Sequence, residues 1–158
     1  MQLETEYIIS QSGKIAYNRV LGKSPGVVFF CGHGSDKEGS KALFIEAWAK
    51  NYGQAFLRFD YSGHGSSDGL FLETNISDWT RDAITVLDNL TEGPQILVGS
   101  SLGGWIMLNV AVERPTFSAQ FDQNREFRKL KQTHYFPFQN DLLTFCLDIV
   151  NNLEVYYF

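Results

Sequence analysis

Gly99-Ser100-Ser101-Leu102-Gly103, a serine with a glycine two residues away on either side, is the stretch of this chain best suited to covalent chemistry. A short apolar run at residues 96–98 precedes it, with the length and branching of a buried strand, and an apolar helical pattern begins near Leu102. G-x-S-x-G between a strand and a helix is the pattern of a nucleophile elbow. At such a turn the backbone is strained and the chain packs against itself on both sides. The positions two before and two after the serine must therefore carry little or no side chain. The turn lifts the Oγ of Ser101 clear of the sheet, and the helix N-terminus behind it favours a developing negative charge. A serine that merely caps a helix is the competing use.

Attack on a carbonyl also needs two backbone N–H donors for the oxyanion. One follows from the elbow, the N–H of Leu102, the residue after the nucleophile. The other is expected from Cys31-Gly32-His33-Gly34-Ser35, the glycine-rich loop after an apolar run at residues 26–30. That loop admits two registers, one giving His33 as donor and the other Ser35. His33 is preferred because it directly follows the first glycine after the strand.

A third glycine-rich stretch, Asp60-Tyr-Ser-Gly-His-Gly-Ser-Ser-Asp68, invites a phosphate-loop or metal reading. It lacks the lysine of a P-loop and any G-x-G-x-x-G order, and His64 has no metal-ligand spacing around it. A structural turn on the active-site face is the expectation. Cys31 has no obvious base beside it and reads as a small packed residue.

The elements that must position these groups follow from periodicity. Residues 7–10 and 14–20 read as two strands of a hairpin around Ser12-Gly13. Residues 26–30 are apolar throughout, as in a strand covered on both faces. Residues 40–52 suggest a helix with apolar Leu43, Ile45, Ala47 and Trp48, closed by Gly53. Residues 55–59 form the next strand. Residues 76–90 form a second helix, with Trp79, Ala83, Ile84, Leu87 and Leu90 on one face and Asn75 or Ser77 as cap. A third helix runs from Leu102 to about Glu113, stopped by Pro115. Strand and helix alternate from Gly26 onward, which implies crossovers, an α/β class and a mostly parallel sheet. Ligands in such sheets bind outside the carboxyl ends of the strands, where all three glycine-rich loops lie.

With 158 residues, the chain can build one domain with a real core. A net charge of −5 argues against nucleic acid or an anionic membrane as partner. No apolar run approaches a transmembrane span. Two cysteines, Cys31 and Cys146, and a polar, acidic N-terminus point to a soluble protein of a reducing compartment, with the cytoplasm as the expectation. All 14 glycines lie between Gly13 and Gly104. After Arg114 the chain turns rich in Phe, Tyr, Asn and Gln. Residues 1–114 are therefore expected to form one unit, and 115–158 an atypical tail, helical at 121–132 and 141–153 or poorly ordered.

Three stretches together resemble the α/β-hydrolases, and among them the acyl-protein (palmitoyl) thioesterase-like serine hydrolases. They are Phe59-Asp-Tyr-Ser-Gly63, Gly65-Ser-Ser-Asp-Gly69 and Gly93-Pro-Gln-Ile-Leu-Val-Gly-Ser-Ser-Leu-Gly-Gly-Trp105. The resemblance covers about residues 7–115. It implies a partial α/β-hydrolase fold with an N-terminal antiparallel hairpin and missing C-terminal strands. It also implies Ser101 as nucleophile, His33 and Leu102 as oxyanion hole, and no cofactor or metal. The implied substrate is an acyl ester or thioester, small molecule or acylated protein. In that family the triad runs Ser, then Asp, then His. Here the only histidine after Ser101 is His134, and Glu113, Asp122 and Glu126 precede it in helical patterns. Asp122 and His134 fit a triad in order alone. The expectation is a truncated hydrolase of impaired activity, or else a non-catalytic fragment or binding module that keeps the scaffold. Oligomeric state is not legible.

Overall fold

Gly26-Val-Val-Phe-Phe30 has no polar side chain to offer water on either face, and the fold surrounds it accordingly. The computed structural model describes residues 3–114 and the backbone of residues 153–157. Strand β3 (Lys23–Phe30) lies between β4 (Gln54–Phe59) and β5 (Gln95–Ser100), parallel to both. The hairpin β1 (Glu6–Ser10) and β2 (Gly13–Val20) joins antiparallel to β4 through β2. On the other side β6 (Leu153–Tyr157) pairs antiparallel with β5, Ser100 opposite Leu153. The order is β1-β2-β4-β3-β5-β6. The parallel part is thus the core β4-β3-β5, and the antiparallel strands on either side make the sheet mixed.

Three helices follow the expected positions. They are α1 (Ser40–Tyr52), α2 (Ile76–Leu90) and α3 (Leu102–Glu113), with a 3-10 turn at Phe71–Glu73. The β3–α1–β4 and β4–α2–β5 crossovers run in opposite directions along the sheet. Right-handedness therefore puts α1 on one face and α2 on the other, with α3 packed against α2 and β5. Asn75 caps α2: its side chain accepts the N–H groups of Ser77 and Asp78, while Asp78 accepts the N–H of Asn75. Gly53 closes α1 in the left-handed conformation.

The inward face of α1 is Ala42, Glu46 and Ala49, while Leu43, one of the apolar residues of its pattern, is exposed. The reason lies in β4, where Arg58 is fully buried and draws Glu46 inward. The strand at residues 96–98 carries β6 along it. The expected helix at 141–153 ends inside that strand, and its other residues, like 121–132, fall outside the described ones. The three glycine-rich loops emerge at the carboxyl ends of β3, β4 and β5, which are neighbours in the sheet, so they meet.

Candidate active site

Ser101 has φ 54° and ψ −119°, and is the one non-glycine residue with positive φ among those described. A side chain held there costs on the order of 1–3 kcal/mol, which only close packing on both sides can impose. The packing is visible at the two glycines of the motif. A Cβ on Gly99 would stand 2.5 Å from the Cα of Gly104, and one on Gly103 would stand 2.6 Å from the carbonyl oxygen of Cys31. Backbone meets backbone at both points, so neither can yield. The side chain of Ser101 is exposed, and among the described residues its Oγ makes no hydrogen bond.

The loop after β3 lies against this turn, since a Cβ on Gly32 would be 3.7 Å from the Cβ of Ser101. Within the loop the backbone donors are already divided. Ser35 N–H closes a turn onto the Gly32 carbonyl at 3.1 Å, and Gly34 N–H donates to Nε2 of His64 at 3.4 Å. Among the described residues, the N–H groups of His33 and Leu102 donate to no protein acceptor. Of the two registers, the one naming Ser35 has its donor occupied. The imidazole of His33 is turned aside, edge-on to Phe71 at 4.9 Å and to Trp79 at 6.3 Å.

The loop after β4 is built differently. Asp60 is buried and accepts the N–H groups of Lys37 at 2.5 Å and Ser66 at 2.9 Å. Burial raises its pKa above the usual carboxylate value, against the lowering pull of those two hydrogen bonds. Ser67 Oγ accepts the Ala16 N–H and donates to the Asp60 carbonyl, both at 2.8 Å. Tyr61, fully buried, donates its hydroxyl to the Cys31 carbonyl at 3.3 Å. These bonds make the stretch a structural turn, as expected. Cys31 is packed as expected too, its thiol pushed up by burial and then by the charge of Asp60. Between the two loops is a cleft of about 270 Å³, bounded by Gly34–Asp36 and Gly63–Gly65 with Phe71 beneath. Leu70 and Leu72, on either side of Phe71, are exposed.

Sequence reasoning missed the ionic cluster beneath this site. Arg58 donates to Glu46 at 2.6 Å, to Glu38 at 2.8 Å and to the Lys37 carbonyl at 2.8 Å. Lys37, buried as well, reaches Glu38 and Thr5. Burial raises the pKa of Glu46, but its bonds to Lys50 and Arg58 outweigh that and the net shift is downward. The signal was an arginine inside the apolar run Ala55-Phe-Leu-Arg-Phe59, which can be buried only if paired. A second miss is Lys41, whose Nζ donates to Ser100 Oγ at 3.1 Å, one residue from the strained serine. The Asp122–His134 pair lies outside the described residues.

Comparison with known proteins gives the family and the fold. The family model described as serine aminopeptidase, S33 matches residues 22–123. The rat mitochondrial palmitoyl-protein thioesterase ABHD10 is 54% identical over 101 residues, 64% of this chain and 34% of the relative. The mouse monoglyceride lipase is 25% identical over 118 residues, 70% of this chain and 39% of the lipase. Among solved structures, the mouse α/β hydrolase domain-containing protein 10 superposes with a TM-score of 0.68 at 47% identity, over 71% of this chain and 45% of that one. A putative hydrolase from Agrobacterium vitis S4 gives 0.67 at 38% identity, over 76% and 48%. The chain spans about a third of the length of the curated relatives it matches. The cytoplasmic expectation is overturned by these relatives, which are named as mitochondrial in rat, mouse and cattle. A low cysteine count fits any reducing compartment and does not say which one.

Proposed function

The chain belongs to the serine aminopeptidase, S33 family of α/β-hydrolases, and from that premise we propose that it is an acyl ester or thioester hydrolase scaffold whose nucleophile is Ser101. The N–H groups of His33 and Leu102 form its oxyanion hole. In the reaction, Ser101 Oγ bonds to the substrate carbonyl carbon, and the carbonyl oxygen takes up negative charge between the two N–H groups. Collapse breaks the C–S or C–O bond, and the thiol or alcohol leaves with the proton that Ser101 gives up. Water then splits the acyl-serine ester and releases the carboxylic acid. The chain needs no cofactor for these steps. The acyl thioester class is suggested by the name of the mitochondrial palmitoyl-protein thioesterase relatives, and the exposed Leu70 and Leu72 beside the cleft suit an acyl chain. The same relatives suggest a mitochondrial location.

The observation that carries this reading is the backbone of Ser101, held at φ 54° between two glycines that backbone atoms forbid to change. Among the described residues no free base stands at Ser101, so these residues alone support only slow turnover. His64 commits both ring nitrogens elsewhere, and the ring of His33 packs on Phe71 and Trp79. An unactivated serine hydroxyl is a poor nucleophile at neutral pH. A site that keeps its oxyanion hole but lacks a triad member retains about 10³–10⁴-fold catalysis over water. A fluorophosphonate probe tests the reading: slow, stoichiometric labelling is expected at Ser101 and none in Ser101→Ala. Folded protein that takes up no probe at Ser101 overturns it, and leaves the scaffold as a non-catalytic binding module.

A further inference from the structure

The loop after β4 makes three hydrogen bonds to the loop after β3, and they fall on both sides of His33. Tyr61 OH donates to the Cys31 carbonyl at 3.3 Å, Gly34 N–H donates to His64 Nε2 at 3.4 Å, and Lys37 N–H donates to Asp60 Oδ1 at 2.5 Å. Acyl-transfer chemistry uses none of Asp60, Tyr61 and His64 directly. The bond to His64 differs from its neighbours because protonation removes its acceptor altogether, whereas a protonated Asp60 would keep an oxygen that accepts. Gly34 N–H can only donate, so Nε2 must carry a lone pair. The Ser62 carbonyl, 3.3 Å from Nδ1, can only accept, so Nδ1 must carry the proton. The imidazole is therefore neutral and fixed in one tautomer. Rings of Tyr61, Phe71 and Trp79 pack around it, with centroids at 5.6, 5.0 and 5.0 Å.

We propose that His64 is a positioning residue for the oxyanion hole. Its neutral imidazole holds the Gly34 N–H, and so keeps the loop in the conformation that leaves the adjacent His33 N–H free at Ser101. This rests on the assignment of Ser101, His33 and Leu102 above. Acid should release the hold. Once doubly protonated, His64 faces the Gly34 donor with a donor of its own, and the hydrogen bond is lost. The titratable groups near His64 are His33 and Asp36 from the loop after β3 and Asp60 and Tyr61 from its own loop, while on α2 Asp82 accepts the Ser62 N–H. The 3-10 turn and the remainder of α2 present Phe71 and Trp79. Burial and the charge of His33 lower the pKa of His64, while the Ser62 carbonyl and Asp60 raise it, and the net shift is downward. The release therefore comes below the ordinary histidine value, and the site is fully formed above it.

The full ¹⁵N-labelled chain is titrated by NMR while fluorophosphonate labelling of Ser101 is timed across the same pH range. The Gly34 amide is expected to shift with the midpoint of His64. His64→Ala should slow labelling about three- to tenfold above neutral pH, the loss of one hydrogen bond. His64→Gln, whose amide oxygen reaches the place of Nε2 but does not titrate, should recover most of that rate. The ratio of wild-type to His64→Gln rates should then fall as pH falls. A Gly34 amide indifferent to the His64 titration, or a flat ratio, overturns the proposal. If no variant labels at Ser101 at all, the nucleophile assignment fails, and the amide titration alone decides whether His64 holds the loop.

Discussion

Two serines in glycine-rich turns of this molecule, Ser101 after β5 and Ser67 after β4, are held in opposite ways. Ser67 is half-buried, and its hydroxyl both accepts and donates, tying β2 to the carbonyl of Asp60. Ser101 is exposed, strained and without a hydrogen bond to the described residues. The glycines differ too. At Gly103 an added methyl would meet the backbone of β3, whereas at Gly65 it would meet the carboxylate of Asp60, with Cγ at 2.5 Å. A turn that closes its own polar groups is scaffolding. One that holds an exposed serine at positive φ, with no hydrogen bond to the described residues, is the turn on which the proposed nucleophile rests.

Four measurements break or sharpen this contrast. The largest effect is expected from Gly103→Ala, which should cost about 3 kcal/mol of stability because main chain has nowhere to go. Gly65→Ala should cost about 2 kcal/mol, the sum of left-handed strain and a displaced side chain. Equal losses in urea unfolding would erase the distinction between the turns. Next, Ser67→Ala should destabilise by about 1–2 kcal/mol through two lost hydrogen bonds, again read by urea unfolding. Ser101→Gly should have the opposite sign, a gain of about 1 kcal/mol from relieved strain, while probe labelling disappears. A loss of stability at that position would mean that the turn is not strained. The smallest effect concerns pH. The pKa of His64 is lower in the folded chain than its ordinary value near 6.5, so the unfolded state binds the extra proton more readily. The stability in question is complete above the ordinary value and is lost as pH falls through the folded one. His64→Gln should flatten that slope in unfolding curves taken between neutral and mildly acid pH, whereas Ser101→Gly should leave it unchanged.

Much of this was legible in the sequence. Every strand and helix read between residues 7 and 113 is present, with bounds moved by a few residues, because alternation and helical period act within a few positions. β3 starts earlier than read, at Lys23, because a register shift between Lys23 and Val27 lets it rejoin β4. The inward face of α1 was not legible, because the buried Arg58 of β4 requires Glu46 on it. The mitochondrial character of the relatives had no counterpart in composition, since nothing in residue content distinguishes one reducing compartment from another.

The sequence by itself determined the elbow: two glycines at fixed spacing around Ser101, between an apolar run and a helix, leave few conformations that avoid a clash. Only the tertiary structure decided which donor of the loop after β3 stays free. It also decided that Nε2 of His64 faces the Gly34 N–H, and that Arg58, Glu38 and Glu46 share one cluster. The first is a matter of steric contact between near neighbours in the chain. The others depend on partners such as Gly34 and His64, thirty residues apart in sequence, whose meeting no local pattern records and only the folded sheet brings about.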